Sequence, residues 1–377
     1  MTYPVAIIPQ DARMDKVKRK EFYRNPDGSG PVAEVQAFLE SIAPEWEPAT
    51  AGAGRPGGVQ DSGSRPRPSP ARLRKENSIM AWAEMRDGAA LVSEHSLATA
   101  MGRASLRLRS YRPPHADKGN LPVLLYFHGG GFVFGSVEEA DPICAALAVR
   151  TPSLVVSVDY RLAPEQPFPA ALEDARAALA WLGPAAPSLG GDPDRIIVAG
   201  ESAGANLAAR LCQEARAGGL PRPAAQLLLC PWLDLADFDR GSHRQFGHGP
   251  WLSLESLGLY RDWYLGAGDA AGEAIGAGPA RGCGPGAAAD PRVSPLRVAD
   301  LEGLPPALVL TAGFDPLRDE GAEYARRLVQ AGTATTRLHY EGMIHSFFVL
   351  GAVMETAWTA IDECAAWLRA FTQGGDE

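Results

Sequence analysis

The sequence predicts an α/β fold built on a mostly parallel central sheet with helices on both faces. Two observations carry this. Short, continuously apolar runs rich in branched residues alternate with longer stretches at helical spacing, the pattern of parallel strands joined by helices. Glycine-rich turns also follow several of those runs, at the carboxyl ends where open α/β sheets meet their ligands. A chain of 377 residues could hold two or three domains, but the regular alternation argues for one dominant unit.

In chain order, strands are predicted at 105–111, 122–128, 154–159, 195–200, 226–231, 307–313 and 336–341. Helices are predicted at 138–150, 168–182, 203–217, 319–331 and 355–372. Arg195-Ile196-Ile197-Val198-Ala199 is short, branched and apolar, as a buried strand should be. Ala203 to Ala217 sets Leu207, Leu211 and Ala215 at helical spacing. Residues 1–104 stand outside this pattern: a helical stretch from Val32 to Ile42, a Gly/Pro/Ser/Arg-rich linker from Ala49 to Pro70, then a further helical pattern from Arg72 to Met85. Within the main unit, 105–377, the segment from about 234 to 290 reads as an insertion. Its first part carries Phe238, Phe246, Trp251, Tyr260, Trp263 and Tyr264, and a Gly/Ala-rich loop follows from Gly266 to Ala289.

The chemistry concentrates at four places. Gly200-Glu201-Ser202-Ala203-Gly204 joins a strand to a helix, and a serine between glycines at such a turn matches a nucleophile elbow. The turn is strained, and glycine lets the neighbouring backbone pass close by. The helix start behind Ser202 favours developing negative charge. Upstream, a strand ending at Phe127 runs into His128-Gly129-Gly130-Gly131-Phe132. Consecutive glycines leave backbone N–H groups uncovered, so they can converge on an oxyanion. His128 is expected to orient this loop rather than act as a base.

Asp315 follows the strand Ala307–Gly313, and His345 follows the strand around Arg337–Tyr340, giving the chain order Ser, acid, His. His345 is expected to take the proton of Ser202, with Asp315 fixing the imidazole tautomer. Asp315 should raise the His345 pKa and burial should lower it, roughly offsetting near the ordinary value of about 6.5. Asp319 and Glu320 fall inside the next helix, pointing elsewhere, and His339 lies within a strand, where it should pack. Tyr160, Arg161 and Pro164 form a turn expected to brace the glycine loop. Glu201 is expected to bond loop backbone rather than transfer protons.

With these stretches the chain resembles the hormone-sensitive-lipase-like family of esterases, the bacterial family IV carboxylesterases of the α/β-hydrolase fold. The resemblance rests on His128-Gly129-Gly130-Gly131-Phe132, Asp159-Tyr160-Arg161-Leu162-Ala163-Pro164-Glu165, Gly200–Gly204, Asp315–Gly321 and His345-Ser346-Phe347-Phe348, and spans roughly 105–370. It implies Ser202, Asp315 and His345 as a triad, with oxyanion donors among Gly129, Gly130, Gly131 and Ala203. It further implies hydrolysis of short- to medium-chain acyl esters through an acyl-enzyme, with no cofactor, and a homodimer. A small helical cap would be built from the N-terminal helices and the insertion. Phe132, Glu201, Trp232 and Phe347 are expected at the substrate pocket. The chain departs from the family in Glu201 where Asp is commoner, Ala205 where a second glycine is common, and Ser346 where glycine is usual. Amide, lactone or carbamate hydrolysis, or acyl transfer, would use the same triad. A non-enzymatic binder of this fold, as plant gibberellin receptors are, lacks the histidine that His345 supplies here.

Composition excludes other classes. A net charge of −9 argues against a nucleic-acid surface. No stretch approaches the roughly 18 apolar residues of a membrane span. Met1-Thr2-Tyr3-Pro4-Val5 begins no basic-then-apolar leader, so a signal peptide is not expected. Cys144, Cys212, Cys230, Cys283 and Cys364 are odd in number and widely spaced; Cys144, Cys212 and Cys364 fall on apolar helix faces and Cys230 in a strand, which reads as buried free thiols in a reducing cytoplasm. Without CxxC or HExxH spacing, no metal is predicted.

Overall fold

A computed structural model of the protein describes residues 30–42, 90–98, 105–114, 120–249, 251–266 and 286–373. The linker at 49–70, the helical pattern at 72–85, most of the Gly/Ala-rich loop and Cys283 lie outside them. The strands are β1 (Leu91–Leu97), β2 (Leu106–Arg112), β3 (Leu121–Phe127), β4 (Leu154–Asp159), β5 (Gly191–Glu201), β6 (Ala225–Leu229), β7 (Ala307–Phe314) and β8 (Thr335–Ile344). Among the described residues they form an 8-stranded sheet in the order β1-β2-β4-β3-β5-β6-β7-β8. β2 pairs antiparallel with β1 and β4, and every pairing from β4 through β8 is parallel. The mostly parallel α/β sheet is the one expected from the alternating pattern, and the fold is the α/β-hydrolase fold that the resemblance implies.

The helices are α1 (Ala33–Ile42), α2 (Val137–Arg150), α3 (Ala170–Ala185), α4 (Ala203–Ala217), α5 (Gly241–Phe246), α6 (Leu254–Tyr264), α7 (Arg318–Gln330) and α8 (Glu355–Gln373). The sheet separates two apolar cores. Val123, Leu125 and Phe127 of β3 face the one built with α3, α4 and α7, and Leu124 and Tyr126 face the one built with α2 and α8. Burial on both faces is why β3 reads as a continuous apolar run rather than an alternating one.

Two differences from the predicted elements have plain causes. β1 lies inside the segment read as cap helices and linker, so the sheet begins at Leu91 rather than near 105. It is an edge strand with mostly exposed side chains, Leu-Val-Ser-Glu-His-Ser-Leu, and lacks the apolar pattern that marks a buried strand. Cys230, predicted in a strand, instead follows β6 at φ +43°. Cys144, Cys212, Cys230 and Cys364 are buried and free. Among the described residues, no helix is long and apolar enough to cross a membrane.

α1 packs against the end of β8, where the Val32 N–H donates to Gly342 O at 3.1 Å and Phe38 meets Trp251 edge-on at 5.2 Å. α6 lies over the glycine loop: Tyr264 stacks on Phe132 at 3.9 Å, and Tyr260 meets Phe134 at 5.5 Å. The insertion's aromatics therefore fasten it to the core, and two of them, Trp251 and Tyr260, also line the pocket described next.

Candidate active site

β5 delivers Ser202 into α4 through a tight turn. Ser202 has φ +52° and ψ −114°, a strained backbone for any residue but glycine. Both flanking glycines are forced by close approach: a Cβ on Gly204 would sit 2.1 Å from Phe127 O, and one on Gly200 2.4 Å from Gly204. The strain is held by hydrogen bonds, with Ser202 N–H donating to Leu229 O at 2.9 Å and Ser202 O accepting from Trp232 N–H at 3.1 Å. The hydroxyl caps nothing in α4 and is left facing His345.

Asp315 and His345 each follow directly on a strand, β7 and β8. His345 Nε2 lies 3.1 Å from Ser202 Oγ, and His345 Nδ1 lies 2.9 Å from Asp315 Oδ2. Since a carboxylate only accepts, Nδ1 carries the proton and Nε2 presents its lone pair to the hydroxyl. Asp315 Oδ1 accepts from Leu317 N–H at 2.8 Å, and the residue is fully buried. Burial works against the His345 imidazolium, but the Asp315 carboxylate, by charge and by hydrogen bond, together with Glu201 outweighs it and raises the His345 pKa. The rough offset expected from sequence tilts upward, led by Asp315, with Glu201 as a further negative neighbour.

The competing residues sit elsewhere. Asp319, in α7, accepts from Ser242 N–H at 2.7 Å, and Glu320 accepts from Leu233 and Asp234 N–H at 3.0 and 3.1 Å. His339 bonds Thr311 Oγ1 at 2.9 Å and Glu341 at 2.7 Å.

The glycine loop is braced from below. His128 Nδ1–H donates to Gly129 O at 2.7 Å while its ring stacks on Tyr160 at 4.2 Å, and Tyr160 O–H donates to His128 O at 2.8 Å. Burial lowers the His128 pKa to about 4, which leaves the ring neutral. Arg161 pairs with buried Asp174 at 2.9 Å, and Ala163 N–H donates to Phe132 O at 2.8 Å. Gly130 at φ +108° and Gly131 at φ +60° turn the backbone so that Gly130 O accepts from Val133 and Phe134. Among the described residues, no backbone carbonyl accepts from the N–H of Gly130, Gly131 or Ala203. Gly129 is different: the Glu201 carboxylate lies close against it, and its N–H favours the charged form of that carboxylate. Burial pushes the Glu201 carboxyl up, while Ser346, His345 and the Gly129 N–H favour its charged form. Ser346 itself has φ +54°, the left-handed conformation that makes glycine usual at this place.

Above Ser202 and His345 lies a pocket whose walls include Glu201, Trp232, Trp251, Leu257, Tyr260 and Val349. Glu201 and Trp232 had been expected there; Phe132 and Phe347 had too, and neither lines it. Phe132 has φ +66° and turns its ring into the core against Tyr264 and Trp232. Phe347 opens a short turn that sends its ring under the site, against Tyr340 at 5.0 Å and Phe348 at 5.7 Å. Sequence reasoning also passed over Glu139 and Ile143 of α2, which do line the pocket. Their helix reads as an ordinary amphipathic one, and only the tertiary fold shows which face meets the cavity.

Cys230 Sγ, an Asp315 oxygen and a His345 nitrogen lie within 4.8 Å of one another, a potential metal-ligand set. Burial pushes the Cys230 thiol well up, and Asp315 already holds His345, so this set favours the proton relay over an ion.

Comparison with known proteins agrees with this geometry. A family model described as the alpha/beta hydrolase fold matches residues 124–349. Carboxylesterase NlhH of Mycobacterium tuberculosis is 39% identical over 268 residues, covering 71% of this chain and 79% of the relative. Ethyl acetate hydrolase of Pseudomonas putida is 36% identical over 289 residues, covering 76% of this chain and 85% of the relative. The crystal structure of a thermostable esterase from Pseudomonas putida ECU1011 superposes with a TM-score of 0.75 at 32% identity, covering 93% of this chain and 99% of that one. The fold, the ordered motifs and these relatives agree: the chain belongs to the hormone-sensitive-lipase-like family of α/β-hydrolases and is a carboxylesterase of the serine hydrolase class.

Proposed function

We propose that the protein hydrolyses short- to medium-chain acyl esters through an acyl-enzyme on Ser202, with His345 as general base and Asp315 as its orienting acid. The observation that carries this reading is the continuous relay, 3.1 Å from Ser202 to His345 and 2.9 Å on to Asp315, beside uncommitted backbone N–H groups. Ser202 Oγ attacks the ester carbonyl as His345 Nε2 takes its proton. Negative charge moves to the carbonyl oxygen, held by the N–H groups of Gly130, Gly131 and Ala203; one such donor is worth on the order of 3 kcal/mol. The tetrahedral intermediate collapses, the C–O bond to the alcohol breaks, and His345 gives the alcohol its proton. Water, deprotonated by His345, then attacks the acyl-enzyme and frees the acid and Ser202.

α1 and the insertion carrying α5 and α6 serve as the cap of a catalytic unit that otherwise comprises the sheet and its flanking helices. Trp251 supports this assignment, since it touches Phe38 of α1, lines the pocket and donates to His345 O at 2.7 Å. The buried free cysteines support a reducing, cytoplasmic setting. A homodimer rests on the family resemblance alone, and sedimentation would test it.

A fluorophosphonate should label Ser202, read by mass spectrometry of the digested protein, and label no other serine. Modification of a different serine, with Ser202 untouched, would overturn the assignment.

The pH profile gives an independent check. Only neutral His345 can accept the proton, so kcat/KM should climb with pH through one proton loss and then level off. Because Asp315 and Glu201 outweigh burial, the midpoint should lie above the ordinary imidazole value of about 6.5. A rate flat from about pH 5 to 9 would separate His345 from the measured step.

A further inference from the structure

We propose that Glu139 is a specificity-determining residue that selects, among ester substrates of the Ser202 site, those carrying a protonated or quaternary ammonium group. The inference rests on the ester-hydrolase reading above and names a substrate class for it.

Three observations lead here. Glu139 is half-buried in the pocket wall, on the same cavity as Ser202 and His345. Among the described residues, the pocket's lining contains two carboxylates, Glu139 and Glu201, and no lysine or arginine. Aromatic side chains complete the wall: Phe134, Trp232, Trp251 and Tyr260. A carboxylate beside aromatic rings is the arrangement that takes a weakly hydrated alkylammonium, through charge and through cation–π contact.

The neighbouring acids of α2 show why Glu139 stands apart. Glu138 and Asp141 pair with Arg109 at 2.8 Å each, and Glu138 also meets Arg107. Both acids are thereby tied to β2 on the outer side of the helix. Glu139 faces the other way and forms no ion pair among the described residues. Among the described residues, the charged groups acting on it are all acidic. Burial, then Glu201 at the elbow, Glu138 on its own helix and Asp159 at the end of β4 raise its pKa to about 7. A partly desolvated carboxylate without a cation is costly in a folded protein and is a functional candidate where it lines a cleft. A cationic substrate supplies the missing partner. An anionic one meets repulsion from both Glu139 and Glu201.

Matched ester pairs test this. The first pair is butyrylcholine and its uncharged isostere, with a quaternary carbon in place of nitrogen, so that the charge lies on the alcohol side. The second places a trimethylammonium group or its carbon isostere at the end of the acyl chain of a para-nitrophenyl ester. For each pair the readout is the ratio of kcat/KM for charged over uncharged ester, at about pH 8.5 so that Glu139 is ionised. In at least one pair the ratio should fall by about tenfold in Glu139→Gln, the scale of one partly screened charge contact. Ratios unchanged by the substitution in both pairs would overturn the proposal.

Should Glu139→Gln not fold, the unmodified enzyme decides. Choline should inhibit hydrolysis of an uncharged ester, or a trimethylammonium-bearing carboxylic acid should, at least about tenfold more strongly than its carbon isostere. Equal inhibition within both pairs would overturn the proposal. Failure to hydrolyse any ester, uncharged ones included, would instead overturn the Ser202 reading beneath it.

Discussion

Ser202→Ala should lower kcat/KM for a para-nitrophenyl ester by at least about a thousandfold, with the folded state intact. The substitution removes the attacking oxygen and its 3.1 Å contact with His345, and little else. The hydroxyl forms no cap on α4, so the helix loses no hydrogen bond. The backbone bonds that hold the elbow, from Ser202 N–H to Leu229 O and from Trp232 N–H to Ser202 O, do not involve the side chain. Alanine meets the same strain at φ +52° that serine does, so that cost stays constant. The melting temperature should therefore move by no more than a few degrees, about what 0.5 kcal/mol produces. Any remaining rate would come from the oxyanion donors and from binding, which act without the nucleophile. A variant that keeps a tenth or more of the activity, after exclusion of contaminating wild type, would mean that another group attacks the ester.

What was legible in the sequence was whatever is set locally. The strand–turn–helix around Ser202 can be read because Gly200 and Gly204 are required within a few residues of the serine, and α4 spans Ala203–Ala217 as its spacing predicts. β4, buried along most of its length between β2 and β3, has the predicted bounds Leu154–Asp159 because a central strand reads as a short, branched, mostly apolar run. Features set by tertiary placement were not legible. β1 is polar because it closes the sheet edge. Phe132 has the composition of a pocket residue, yet its positive φ turns the ring into the core. Gly129 is interchangeable with its neighbours in sequence, and only the approach of Glu201 distinguishes its N–H from theirs. Glu139 belongs to the same class: nothing in Val137–Arg150 distinguishes the acid that faces the cavity from the acids that face Arg107 and Arg109.

Asp315→Asn should cut kcat by about three to four orders of magnitude while changing stability far less. Asparagine has the same shape, but one of its two terminal atoms must now be a donor. Leu317 N–H, at 2.8 Å from Oδ1, needs an acceptor, so the amide oxygen is fixed there and the NH₂ turns toward His345 Nδ1. That nitrogen must then present its lone pair, and the ring proton moves to Nε2, the atom facing Ser202. In this tautomer His345 cannot accept the hydroxyl proton. The charge is lost as well. Asp315 heads the groups that raise the His345 pKa against burial, so without it the residual activity should titrate at a lower pH than in the wild type. Asp319→Asn is the control. Its carboxylate accepts from Ser242 N–H and pairs with Arg318 at 2.9 Å, away from His345, so turnover and pH midpoint should both stay near wild type. Steady-state kinetics across pH on the two variants would decide the matter: a crippled Asp319→Asn beside an active Asp315→Asn would move the orienting acid from the turn after β7 into α7.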